Sequence, residues 1–292
     1  MNLRLYVSLV AAALAALALA GQASAIGDPD TAALQVALRA RGLYGGTVDG
    51  LAGPQTRSGI RALQGQAALP ATGVLDGATR DAIGAYARTP LGSRVIGEGM
   101  SGWDVAALQF QLAWHGFPSG TFNGYFGPSI KAALLRFQRW AGLPLVGAAG
   151  RLTLAALRTP MPSCPIALAW PLAARITDGF GPRNARFHAG VDFPAASGTP
   201  VAASADGRVV QAGWLAGGWG YTVTIAHERG VRTMYAHLSR VDVRVGDDVA
   251  AGVTVGRVGA SGDATGPHLH FELRLRDAAL DPRSALPLSI PS

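Results

Sequence analysis

Five of the six histidines lie beyond residue 187. One opens His188-Ala-Gly-Val-Asp192, one stands in Tyr235-Ala236-His237-Leu238, and two form His268-Leu269-His270. Side chains alternate along a strand, so His268 and His270 point to one face. His188 and Asp192 are four apart, an even spacing that also puts both on one face of a strand. Gly190 and Pro194 argue against a helix there. Two imidazoles and one carboxylate make a three-ligand set for zinc, with a fourth position left for water. Such donors suit that metal, and a chain with one cysteine has no thiolate site. Water bound in such a set has a pKa of about 7. Peptide hydrolysis also needs a group to handle the proton of the water and a donor for the oxyanion. His237 and His268 can supply these. His115 and His227 read as structural or surface residues.

The elements that must position these groups are β-strands. Beyond Trp170, short runs such as 201–203, 207–210, 221–226 and 233–235 are broken by Gly pairs and turns. Residues 241–255 repeat β-branched side chains, with Gly246 and Gly252 as turn signals. This is an all-β pattern of short strands.

The N-terminal half is a repeat. Ala32-Ala33-Leu34-Gln35 recurs as Ala106-Ala107-Leu108-Gln109, Gly42 as Gly116, and Gly53-Pro54 as Gly127-Pro128. Gln64 recurs as Gln138 and Leu69-Pro70 as Leu143-Pro144, all at an offset of 74 residues. Each copy reads as three short helices. Leu34 and Leu38 share a face that Gly42 stops. Pro54 opens a second helix with Ile60, Leu63 and Ala67 on one stripe, and Pro70 ends it. Asp76 caps a third helix carrying Ile83. The second copy has Gly150 in place of Asp76, so that cap is expected to be missing. Arg88 to Gly102 and Arg158 to Pro165 read as linkers.

Two resemblances follow from these residues. The copies resemble the peptidoglycan-binding domain of the three-helix type, on the Leu-Gln of helix one, the Asp49-Gly50 or Asn123-Gly124 turn, the Gly-Pro opening of helix two and Gln64 or Gln138. That resemblance implies a muropeptide or glycan ligand in the groove between helices. The order His-x3-Asp, His, His-x-His is similar to the lysostaphin-type (LytM-like, Gly-Gly endopeptidase) metallo-endopeptidases. Trp170-Pro171-Leu172, Phe180-Gly181-Pro182-Arg183, Gly198-Thr199-Pro200-Val201, Ala205-Asp206-Gly207 and Gly266-Pro267-His268-Leu269-His270-Phe271-Glu272 extend the match. It implies one zinc per chain on His188, Asp192 and His270, with His237 and His268 as catalytic partners. Glu272, two beyond His270, shares its strand face and is either a support for that ligand or a plain structural carboxylate.

The expected organisation is a signal peptide over 1–25, repeats over 26–90 and 98–158, a linker over 159–165 and a zinc endopeptidase domain over 166–292. The fold class is two small all-α three-helix repeats followed by an all-β antiparallel domain. The expected function is hydrolysis of stem peptides or cross-links in peptidoglycan, with the repeats as anchors. The alternative is a non-catalytic wall-binding regulator of other hydrolases, against which the intact His237 and His268 argue. The loops around Ala212 to Gly220 are expected to select the scissile bond. The repeats either target the catalytic domain or cover its cleft, and a fragment starting near Ser163 is expected to fold, bind zinc and cut soluble peptides.

Composition bounds the rest. Arg4, the apolar stretch 5–20 and Ala23-Ser24-Ala25 form a signal peptide pattern with cleavage after Ala25. That predicts a secreted protein of the periplasm or cell wall, with no stable membrane insertion after cleavage. The stretch is short for a membrane span. The net charge of +7 is scattered, without a run of like charges. It fits an anionic matrix and not a nucleic-acid footprint. Cys164, in Pro160-Met161-Pro162-Ser163-Cys164-Pro165, cannot form an internal disulfide and has no local base to activate it. Nothing in the sequence addresses oligomeric state.

Overall fold

A computed structural model describes residues 27–290; the expected signal segment lies outside them. The first copy has helices α1 (Pro29–Ala40), α2 (Pro54–Gln66) and α3 (Gly77–Ile83). The second has α4 (Trp103–Trp114), α5 (Pro128–Trp140) and α6 (Arg151–Ala156). Pro54 and Pro128 both open their helices, where a missing N–H costs nothing. Asp76 caps α3 by accepting the Thr79 N–H at 2.8 Å, whereas α6 begins at Gly150 with no side-chain cap. One expectation is corrected. Helix α2 ends at Gln66, ahead of Pro70, and Ala67 is its exposed C-terminal cap, not part of the buried stripe. Ala68 follows in the left-handed region at φ 53° and turns the chain away.

The glutamines that mark the repeats hold the turns. Gln35 is fully buried. It donates to Asp49 Oδ1 at 2.7 Å and accepts the Gly50 N–H at 2.9 Å. Gln109 does the same with Asn123 Oδ1 at 3.0 Å and the Gly124 N–H at 2.8 Å. Gln64 and Gln138 bind the backbone of the next turn through Gly73 and Gly147. A buried amide satisfied on both sides fixes a loop at little cost, because its own polar atoms are not left unpaired.

The copies are not beads on a string. Helices α1 and α4 pack on each other, so Ala33, Ala37, Ala106 and Phe110 belong to one core. The segment between the copies, expected as a linker, is part of the second copy. Ile96 is fully buried and bridges to Ala149, with N–H···O distances of 3.1 and 2.8 Å.

The C-terminal domain is antiparallel throughout. Its strands are β1 (Gly181–Arg183), β2 (Arg186–His188), β3 (Val191–Pro194), β4 (Pro200–Ala202), β5 (Gly207–Leu215) and β6 (Gly220–Ala226). They continue as β7 (Val231–Val241), β8 (Asp248–Val249), β9 (Thr254–Val258), β10 (His268–Leu275) and β11 (Ala278–Leu280). The main path runs β11-β10-β7-β6-β5-β8, β3 adds to β10, β9 adds to β7, and β1 with β2 forms a separate hairpin. Alternation on β10 divides its labour. Leu269, Phe271 and Leu273 enter the core with Phe193 and Tyr235, while His268, His270 and Glu272 face the cleft.

The β1–β2 hairpin docks on both copies. The Val48 N–H donates to Asn184 O and the Phe122 N–H to Ala185 O, each at 2.7 Å. Val48 and Phe122 are equivalent in the repeat, so matching turns grip successive carbonyls of one hairpin. Trp114 of α4 meets the Phe187 ring edge-on at 5.3 Å and Phe180 at 6.4 Å. A backbone bond between Gly116 and β11 adds a second seam, the Ala279 N–H donating to Gly116 O at 3.1 Å.

Candidate metal centre

Three strands bring the ligand candidates together. His188 ends β2, Asp192 lies in β3 and His270 lies in β10, directly opposite Asp192 in the register. The even spacing of His188 and Asp192 reads correctly as convergence but for the wrong reason. They occupy two strands, separated at Ala189-Gly190, and not one. Gly190 is required there, since a Cβ would collide with the Phe271 carbonyl and lie 2.9 Å from the His270 ring.

The donor atoms form a tight triangle. His188 Nε2 is 3.1 Å from Asp192 Oδ1 and 3.0 Å from His270 Nδ1, and His270 Nδ1 is 2.9 Å from Asp192 Oδ1. The hydrogen-bond pattern assigns the tautomers. His188 Nδ1 faces the Gly179 carbonyl at 2.8 Å, so its proton sits there and Nε2 is bare. His270 Nε2 faces Glu272 Oε1 at 3.3 Å, leaving Nδ1 bare. In these neutral tautomers two imidazole lone pairs and a carboxylate oxygen point at one another. That repulsion is offset either by protons on the imidazoles, shared with Asp192, or by one metal cation between the three atoms, and the two compete for the same nitrogens. Edges of about 3 Å fit bonds of about 2 Å to a tetrahedral ion.

The electrostatics agree. Burial raises the Asp192 carboxyl, but hydrogen bonds from His188 and His270 outweigh it and hold the group well below the usual carboxylate range. Burial pulls His270 down, yet Asp192 and Glu272 push it up to about 9. The pocket favours positive charge despite being buried. Glu272 is completely buried and also takes the Arg274 guanidinium at 2.6 Å. Arg183 of β1 donates to the other Asp192 oxygen at 3.0 Å.

The two remaining histidines flank this triangle. Their rings are 4.8 Å apart, and His237 is 5.9 Å from His270. His237 Nδ1 faces Ser261 O at 2.9 Å and His268 Nδ1 faces Gly266 O at 2.8 Å. Both therefore carry a bare Nε2. His268 Nε2 lies 3.9 Å from Asp192 Oδ1. Burial lowers the His237 pKa and keeps that ring neutral at neutral pH. Its backbone sits at φ 60°, where β7 breaks register, a conformation that costs about 1–3 kcal/mol for a non-glycine residue.

His115 and His227 lie elsewhere. Both are buried and bonded to backbone carbonyls, of Gln111 and Asp206 respectively. Cys164 gives its thiol hydrogen to Ile166 O at 3.2 Å, and burial pushes its pKa up. Among the described residues no helix is long and apolar enough to cross a membrane.

The cleft over the triangle has a volume of about 750 Å³. Of the segment expected to select substrate, Gly217, Gly218 and Trp219 reach it, while Ala212 to Leu215 are strand residues turned elsewhere. Residues 263–267 form another rim, and Gly116, Pro118, Gly120 and Arg136 of the second copy form a third. Sequence reading missed that third wall, because nothing local in the repeat marks its docking face.

Buried His, Asp and His donors on an antiparallel sheet, with two imidazoles beside them, define the metallopeptidase class. Residues 186–282 match peptidase family M23, and residues 27–83 and 101–157 match the peptidoglycan binding domain. The C-terminal domain thus matches family M23, and the N-terminal half carries two matches to the peptidoglycan-binding repeat. It is 45% identical over 120 residues to DD-carboxypeptidase/endopeptidase Mpg of Neisseria meningitidis, covering 39% of this chain and 27% of that protein. It is 46% identical over 99 residues to glycyl-glycine endopeptidase ALE-1 of Staphylococcus capitis, covering 32% and 27%. The chain thus spans about a quarter of the length of these curated relatives. Among solved structures, the catalytic domain of lysostaphin from Staphylococcus simulans is 39% identical, with 38% of this chain and 90% of that chain covered and a TM-score of 0.36.

Proposed function

We propose that the chain is an exported zinc endopeptidase that hydrolyses peptide bonds in the stem peptides or cross-links of bacterial peptidoglycan. The supporting observation is the triangle of three bare donor atoms with two further bare Nε2 atoms beside it. His188 Nε2, Asp192 Oδ1 and His270 Nδ1 would hold one zinc, which supplies Lewis acidity and activates a water at neutral pH. Gly179 and Glu272 keep the two ligand imidazoles in the tautomers that bind. His237 and His268, locked through Nδ1 by backbone carbonyls, each offer Nε2 to the reacting groups. As neutral bases they can accept the proton of the attacking water, and once protonated they can donate to the oxyanion or the leaving amine.

The printed activities of the relatives, endopeptidase and carboxypeptidase, support the same reaction class, and the two repeats support wall polymer as substrate and anchor. The leader pattern in residues 1–25 supports export to the periplasm or cell wall. The domain limits at 26–90 and 166–292 stand as part of this reading, with the second copy extended from 98–158 to take in Ile96 and the copies acting as one body. The test is the full mature chain on purified wall and on soluble cross-linked peptides, with zinc counted by atomic emission. One zinc per chain and new amino termini released by the wild type but not by His270→Ala are expected. A metal-free protein with full activity overturns the proposal.

A further inference from the structure

The second copy differs from the first where it meets the cleft. Arg136 lies on α5 at the position that Ala62 holds in the first copy. The helical fold therefore does not require an arginine there. The glycine turn that Arg136 leans on is placed by Gly116, where a Cβ would collide with the Ala279 backbone. The equivalent Gly42 has open space. This close approach sets Pro118, Gly120 and Arg136 along the rim of the cleft that contains His188, Asp192 and His270.

Arg136 makes no ion pair among the described residues. Its one hydrogen bond is a long one, from Nη2 to Pro118 O at 3.4 Å. The nearby carboxylates are already engaged. Asp277 is held by Arg232 at 2.8 Å and Glu272 by Arg274 at 2.6 Å. Arg186, on the same cleft, likewise makes no ion pair among the described residues. Burial and then the Arg274 charge lower the Arg136 pKa, against a smaller upward pull from Asp277. A guanidinium that is planar, permanently charged and open to a cleft is suited to a carboxylate held by two parallel hydrogen bonds.

We infer that Arg136, contributed by the second peptidoglycan-binding repeat, is a specificity residue that binds a free carboxylate of the substrate peptide. This deepens the endopeptidase reading and rests on it. The repeat is then a wall of the substrate site as well as an anchor. The enzyme discriminates between stem peptides by whether a particular carboxylate is free or amidated.

The test uses the full mature chain and a series of soluble cross-linked stem peptides in which each carboxylate is amidated in turn. For the wild type, one amidation should raise KM about tenfold or more, the range for losing a charged hydrogen bond, with kcat little changed. Arg136→Gln should cut the free and amidated forms of that pair with equal KM, and Arg136→Lys should restore part of the difference. Arg139→Gln, on the same helix but off the cleft, should keep the wild-type discrimination. Zinc content and Tm measured on each variant report folding. If the wild type cuts the whole series with one KM, or Arg136→Gln keeps the discrimination, the inference is overturned while the endopeptidase reading stands. If the wild type cuts none of the series, both fall.

Discussion

Glu272 Oε1 lies 3.3 Å from His270 Nε2, and this contact decides which nitrogen of His270 faces the ligand triangle. The carboxylate is buried and also paired with Arg274 at 2.6 Å, so its position is fixed from two sides. Replacing it with Gln keeps the shape but removes the charge that supports the Nδ1-bare tautomer. Glu272→Gln should weaken zinc binding about 10- to 100-fold, the usual cost of losing a partner behind a ligand. Competition with a chromogenic chelator measures it. Unchanged affinity would make Glu272 a structural carboxylate only.

His237 tests the division between holding metal and moving protons. His237→Ala should retain close to one zinc per chain and lose about two to four orders of magnitude in rate, the range for a positioned acid–base group. Zinc lost in step with rate would place His237 among the ligands. His237→Asn, which tolerates φ 60° better than Ala, separates backbone strain from chemistry.

Gly190 offers a steric test of the same centre. A methyl group there meets the Phe271 carbonyl and the His270 ring. Gly190→Ala should destabilise the domain by about 1–3 kcal/mol, as overpacking does, and weaken zinc binding by moving His270. Thermal denaturation with and without chelator reads both effects. A variant with wild-type Tm and zinc affinity would show that the strand junction is softer than its geometry implies.

His227 gives the pH dependence a source away from the metal. Its Nδ1 donates to Asp206 O and its Nε2 accepts from Thr233, each at 2.8 Å. Burial lowers its pKa below that of a free imidazole, about 6.5. The unfolded chain then takes up a proton that the folded chain refuses. Stability should fall as pH drops below 6.5 and stay level above it. His227→Gln should flatten that acid limb in urea melts between pH 7 and 5, even if it lowers stability at pH 7. An unchanged slope would assign the limb to other groups.

The hairpin clasp revises the expectation for a fragment starting near Ser163. Removing the repeats strips Trp114 from Phe180 and Phe187, and removes the donors to Asn184 O and Ala185 O. The hairpin ends in His188. The fragment should have a lower Tm and weaker zinc affinity than the full chain. A fragment matching the full chain in both would show that the hairpin holds its place unaided.

The sequence by itself determined the repeat and which side chains make up the candidate centre. The His-x-His spacing places two imidazoles on one strand face because side chains alternate, and a fixed offset of 74 residues identifies two copies whatever their packing. Helix starts at Pro54, Pro128 and Asp76 were legible because capping is local. Tertiary structure alone decided three things. It split His188 and Asp192 between two strands, since strand ends depend on partners such as β10 that lie far along the chain. It turned the 88–102 segment from a linker into part of the second copy, since burial of Ile96 depends on Ala149. It brought Arg136 to the rim of a cleft more than fifty residues further along the chain. A docked face of that kind is set by shape and by the absence of a side chain at Gly116, and neither leaves a periodicity that a sequence can show.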